Sequence, residues 1–147
     1  MKIARTGTIA LVLLAATACV APARSYDAYA GKAVDTSESA LSAVETGRLA
    51  ATAAGNESSF ATTLSVVLAD AEKDASGARG TFESIQPPDA RSSELRTELD
   101  AILDRAVDGL SELRITARRG EISALPHVAE PLSAVSRDLQ AFSDAHS

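Results

Sequence analysis

Tryptophan is absent from the 147 residues, cysteine and methionine occur once each, histidine twice, and aromatic side chains make up 3% of the chain. A single cysteine cannot close an internal disulfide, so the fold must hold by packing alone. With few aromatics and few β-branched runs, alanine is the commonest residue in the 46% apolar content, which favours closely packed helices over sheet. Catalytic signatures are missing too. There is no C-x-x-C-H for haem c, and with Met1 removed no methionine remains as an axial ligand. G-x-S-x-G, the P-loop, H-E-x-x-H and the glycine-rich dinucleotide turn do not occur. The expectation is a protein that is not an enzyme and takes no cofactor.

Long apolar runs are also lacking. The longest, residues 9–18 (IALVLLAATA), would reach about 15 Å as a helix, half the roughly 30 Å hydrocarbon core, and is a poor permanent membrane span. Lys2 and Arg5 precede it and small residues follow, which is the layout of a cleaved secretory signal peptide over residues 1–18. The run ends in Ala16-Thr17-Ala18-Cys19. Here the chain resembles bacterial lipoproteins, in which small residues precede a cysteine that becomes the lipidated first residue. The third residue before the cysteine, usually Leu in that family, is Ala16.

The resemblance implies a thioether-linked diacylglycerol on Cys19 and a place on the extracytoplasmic face of a cell membrane. Two acyl chains suffice for stable anchoring, whereas one binds only marginally. A composition rich in alanine and glycine, with arginine preferred over lysine, is similar to that of small actinobacterial secreted lipoproteins. The alternative is ordinary signal-peptidase cleavage at Ala16-Thr17-Ala18 or Ala21-Pro22-Ala23, which gives a soluble secreted protein.

Charge is one-sided. Without Lys2 and Arg5, twelve basic residues face twenty acidic ones, a net charge near −8 that repels nucleic acid and anionic headgroups. Residues 19–25 read as a tether. Residues 26–147 suit one domain able to bury a real core.

Four amphipathic segments follow. Ser25 is a candidate N-cap for the first, with Asp27 in its first turn, and apolar or small residues recur at Tyr29, Ala33, Val34, Ala40, Leu41, Val44 and Ala51 until Gly55-Asn56. The second runs from about Glu57 to Ile85 along Phe60, Leu64, Val67, Leu68, Ala71, Ala75, Ala78, Phe82 and Ile85. Gly77 and Gly80 mark in it either a weak spot or a close helix crossing. Pro87 and Pro88 stop it. Asp89 or Ser92 caps the third, whose stripe is Leu95, Leu99, Ile102, Leu103, Ala106, Leu110, Leu113 and Ala117, with Glu94 and Glu98 near its start, Arg114, Arg118 and Arg119 near its end, and Gly120 closing it. The fourth (Ile122, Leu125, Val128, Leu132, Val135, Leu139, Phe142) is interrupted by Pro126 and Pro131, so a short opening turn and a bend precede a helix with Pro131 at its first position.

The expected fold is all-α, an antiparallel up-down-up-down four-helix bundle with a proline-interrupted fourth helix. Three helices against a broken fourth is the alternative. In the bundle, the start of the first helix, the Pro87-Pro88 turn and the C-terminus share the membrane-facing end.

Asp100, Asp104, Asp108 and Glu112 recur every fourth residue, a ridge that a hard cation such as calcium could relieve of its repulsion. The blander reading is a solvated face partly neutralised by Arg96 and Arg105. His127 with Glu130 forms H-x-x-E, the reverse of the di-iron order, so His127 and His146 are expected at the surface and no metal is assigned. Tyr26 and Tyr29 follow the tether, where a ring can rest at headgroup level, but Tyr29 also fits the core stripe. Arg118 and Arg119 read as a helix-end charge pair. The functional expectation is a non-catalytic bundle that binds another envelope component. The alternative is a carrier or sensor holding a small apolar molecule among its alanine-rich helices.

Overall fold

The computed structural model describes residues 23–54 and 61–147, and every regular element there is helical. In chain order they are α1 (Tyr26–Ala54), α2 (Ala61–Glu83), α3 (Ala90–Arg118), a 3-10 turn (Ile122–Ala124), α4 (Leu125–Val128) and α5 (Leu132–His146). The leader, Cys19, the Gly55-Asn56 break and Phe60 lie outside the described residues. Ala23, from the tether, is buried in the core.

The helix ends follow local chemistry. The Ser25 hydroxyl accepts from the Ala28 N–H at 3.3 Å, and Asp27 sits in the first turn of α1. Of the two candidate caps for α3 it is Asp89 that acts, its Oδ1 accepting from the Ser92 N–H at 2.7 Å, while Ser92 is buried in the first turn. That bond to the Ser92 backbone holds the Asp89 carboxyl below its usual range. Gly120 (φ 76°) ends α3 in a Schellman pattern: its N–H donates to Ala117 O at 3.0 Å and that of Glu121 to Thr116 O at 3.2 Å.

The fourth segment differs from expectation by one position. Pro131 precedes the first residue of α5 as its N-cap (φ −60°, ψ −30°) and does not occupy the first helical position. Successive i to i−3 bonds, from Leu132 N–H to Ala129 O (3.1 Å) and Ser133 N–H to Glu130 O (3.0 Å), turn the chain tightly there before the i to i−4 ladder begins. Pro126 falls in the first turn of α4, where a missing N–H is no loss.

Contacts fix the relative directions of the long helices. Ser37 Oγ donates to Leu139 O at 2.8 Å in a buried bond, and Arg48 Nη2 donates to Ser133 Oγ at 2.9 Å, so α1 and α5 are antiparallel. Arg79 meets Asp104 and Glu72 meets Arg114, so α2 and α3 are antiparallel. Arg105 meets Asp138 and Glu98 meets His146, which sets α5 antiparallel to α3. The Arg91 guanidinium lies 3.6 Å over the Tyr26 ring, while farther along Gly47 abuts Leu110, so α1 and α3 are parallel. The start of α1, the Pro87-Pro88 turn and the C-terminus come together at one end, where Tyr26, Asp27, His146 and Ser147 line a common groove.

The apolar stripes point inward. All eight positions read for the third helix are buried in α3. In α2 Leu64, Leu68, Ala71, Ala75 and Phe82 are buried while Val67 and Ala78 are half-buried; in α1 Val34 and Leu41 are half-buried.

Glycine roles are redistributed. A Cβ on Gly77 or Gly80 would meet nothing within 4 Å, so neither marks a close crossing. The tight approaches are at Gly47, where an added Cβ would lie 2.4 Å from a Leu110 methyl, and at Gly109, 2.5 Å from a Leu132 methyl. Both leucines are essentially fully buried and have little room to yield.

Two predictions follow from this packing. Gly77→Ala and Gly80→Ala each stabilise the fold by up to about 1 kcal/mol in urea denaturation, because the open site gains helix propensity without a clash. Gly47→Ala and Gly109→Ala each destabilise it by about 1–3 kcal/mol through overpacking. Acid acts on the α1–α5 seam: Glu45 accepts from the Ser136 hydroxyl and from Arg48, and chiefly the Ser136 bond holds its carboxyl below the usual range despite partial burial. This contribution is present above the unfolded carboxylate value of about 4.3 and is lost as pH falls through the lower folded value. Glu45→Gln therefore lowers the melting temperature near neutrality, and the deficit shrinks in acid.

Candidate functional site

The acidic ridge is divided by its surroundings. Asp100 is half-buried on the α2 side of α3, with Arg96 Nε 3.4 Å from its Oδ2. Asp104 is taken by Arg79 reaching across from α2 at 2.5 Å, and Asp108 and Glu112 are exposed. Arg105, expected to neutralise the ridge, instead bonds Asp138 of α5 at 2.9 Å. One residue past Asp104 on a helix means about 100° around the axis, which turns Arg105 toward a different neighbour. Among the described residues, no group of three or more His, Cys, Asp or Glu side chains could hold a metal ion.

The polar groups that do converge lie deeper. Arg96 folds back over the end of α2, its Nη2 donating to Glu83 O at 2.8 Å and its Nη1 to Ile85 O at 3.5 Å. A cation at carbonyls left open by a helix C-terminus is electrostatically favoured. Beneath it Tyr29 is fully buried, its ring 5.3 Å from that of Phe82. Tyr29 is thus a core residue, while Tyr26, half-buried under Arg91, is the one near the chain's entry. The Tyr29 hydroxyl, Asp100 Oδ1 and Ser92 Oγ are buried without hydrogen-bond partners.

Burial pushes the Tyr29 phenol above its ordinary value; Arg96 opposes this and the Asp100 charge adds to it. Burial likewise raises the Asp100 carboxyl, with Arg96 pulling it back, Glu83 raising it further and Arg79 lowering it. No reading of the sequence brought Tyr29 and Asp100 together. The available signal was a tyrosine on one core stripe and an aspartate next to another.

The histidines separate. His127 is exposed, its Nδ1 3.3 Å from Glu130. His146 is half-buried, packed on the Phe142 ring at 4.5 Å between centroids with Nε2 3.7 Å from Glu98. Arg118 and Arg119 are exposed at the end of α3, whereas Arg114 is bonded by both its Nε and Nη2 to Glu72 of α2. Open grooves lie at the surface. One of about 610 Å³ between α1 and α2 is lined by small and polar residues including Ser39, Gly77 and Thr81.

No protein-family model, curated protein or solved structure matches the chain. No helix among the described residues is long and apolar enough to cross a membrane. The functional reading therefore rests on the chain's own residues.

Asp104→Asn removes a half-exposed inter-helix pair. It is expected to lower unfolding free energy by no more than about 1 kcal/mol, an effect that fades at high salt, measured by urea denaturation at two ionic strengths.

Proposed function

We propose that this chain is an exported, non-catalytic helical module held on the extracytoplasmic face of a membrane by lipid on Cys19, where it binds another envelope component. The observation that carries the reading is the leader: Lys2 and Arg5, a short apolar run over residues 9–18, and the chain's one cysteine directly after it. A thiol at that point in an exported chain can serve as a lipid acceptor and cannot close an internal disulfide. Its four long segments form an antiparallel up-down-up-down bundle with a proline-interrupted last helix, a reading supported by the helix directions given above.

Geometry adds an orientation. Helix α1 begins at Tyr26 and Ala23 already packs in the core, so the few residues between Cys19 and Ala23, at most about 3.5 Å each, keep that end of the bundle near the bilayer. The Pro87-Pro88 turn and the C-terminus then face the membrane, and the acidic sides of the helices remain open to a protein partner. The alternative carrier reading has less support. At Gly47 and Gly109 the small residues serve to bring leucines into contact, and small side chains spent on close approach leave no space between helices there.

Intact mass of the mature protein made in a bacterium tests the anchor. The expected mass corresponds to a chain starting at Cys19 plus acyl groups; an unmodified polypeptide overturns the anchor and leaves the secreted alternative.

A further inference from the structure

We propose that the outward face of the α1–α2 pair is a docking surface for a second copy of this chain, the two copies packing side by side with their bundles pointing the same way. This inference is independent of lipid attachment. It starts from the groove of about 610 Å³ between the two helices, which Asp35, Thr36 and Ser39 line from α1 and Lys73, Asp74 and Thr81 from α2. Apart from Lys73 its walls carry nothing larger than aspartate or threonine. The ammonium of Lys73 and the carboxylates of Asp35 and Asp74 are exposed, and none of them forms an ion pair among the described residues. An opposite charge arriving from outside therefore has no internal partner to displace.

Two apolar side chains extend this face. Leu49, 72% exposed, and Val66, 56% exposed, are the large hydrophobic residues left open to solvent among the described residues. Leu49 stands two heptads after Asp35 and Val66 one heptad before Lys73; a straight helix drifts only about 20° per heptad, so each shares the outward face of its groove charge. Helices α1 and α2 are antiparallel, because α1 runs parallel to α3 and α2 against it. Going forward from the groove to Leu49 and backward to Val66 is thus the same displacement, about 17 Å toward the Gly120 end. The face is charged at one level and apolar at another.

Self-complementarity selects the occupant and its direction. About a two-fold axis along the helices, α1 of one copy faces α2 of the other at the same level, so Leu49 meets Val66 and Lys73 is directed at Asp35, each contact made twice. An antiparallel pair would set both apolar ends against groove charges. The size is adequate: α2, with 23 residues, is about 35 Å long, and two helices about 10 Å apart present roughly 700 Å², close to the roughly 800 Å² per partner of a stable interface. Each copy carries a net charge of −6, but at physiological ionic strength that repulsion is screened beyond about 8 Å, which leaves the charges in contact to decide.

The test is sedimentation equilibrium of the full-length chain under reducing conditions at physiological ionic strength, from micromolar to millimolar concentration. It is run beside Leu49→Glu, Lys73→Asp, Asp35→Lys and the double variant Lys73→Asp/Asp35→Lys. A monomer–dimer equilibrium is expected, with the dissociation constant raised about tenfold in each single variant and returned toward the parent value in the double one. The three positions are exposed, so the helical circular dichroism is expected to stay unchanged. Oxidation of a mixture of Leu49→Cys and Val66→Cys chains, both carrying Cys19→Ser, is expected to trap the mixed dimer in excess over either like pair. A like-pair excess overturns the proposal. A chain that stays monomeric also overturns it and leaves the face to a different protein, and so does association that no variant moves, the result if the apolar leader alone holds copies together.

Discussion

Close approach to α1 is the constraint on which the packing rests, and it comes from how little side chain that helix carries on its inner face. Of its ten buried residues, six are alanine, one serine and one glycine, so α2, α3 and α5 can all lie against it. Alanines bury little apolar area, and at about 25 cal/mol per Å² their own contribution is modest. Their effect is indirect. They let Leu99, Leu103, Leu110 and Leu113 of α3, and Leu132 and Leu139 of α5, reach full burial, where each leucine contributes about 1.5–3 kcal/mol. A core with few aromatics can hold without a disulfide on those terms.

The same economy explains which features were legible in the sequence. The α3 stripe was plain because leucines returning at helical pitch have one physical outcome in water, and its Gly120 stop was plain because a positive φ favours glycine. Glycines inside helices were ambiguous for the converse reason. Gly77 and Gly80 could be read as weak spots or as crossing points and face open space, whereas Gly47 and Gly109 are the crossings. A helical glycine is a weak spot or a contact depending on what stands opposite, and the opposite residue belongs to another helix.

Charge pairing was hidden by the same limit. The acidic ridge of α3 was read as partly neutralised by Arg96 and Arg105 of its own helix, yet the partner of Asp104 is Arg79 from α2, and Arg105 turns to α5. Rules for residues three and four apart describe neighbours on one surface and cannot rank them against a residue from the next helix. The Arg96 clasp shows the consequence. An arginine that the sequence assigns to a solvated ridge spends its donors on the carbonyls ending α2, and so leaves Asp100 incompletely paired.

Polarity is distributed unevenly along the molecule, and that unevenness has a structural cause. Toward the Gly120 end, α3 buries Leu110, Leu113 and Ala117, with the Thr116 carbonyl satisfied by the Schellman turn. Toward the Pro87-Pro88 end, two successive prolines deny α2 a continued ladder, so its last carbonyls need a donor from elsewhere. Arg96 supplies it, and its half-buried guanidinium also reaches the Asp100 carboxylate at 3.4 Å. The proline turn, needed to reverse the chain, thereby places Arg96 and the Asp100 carboxylate beside the end from which α1 emerges.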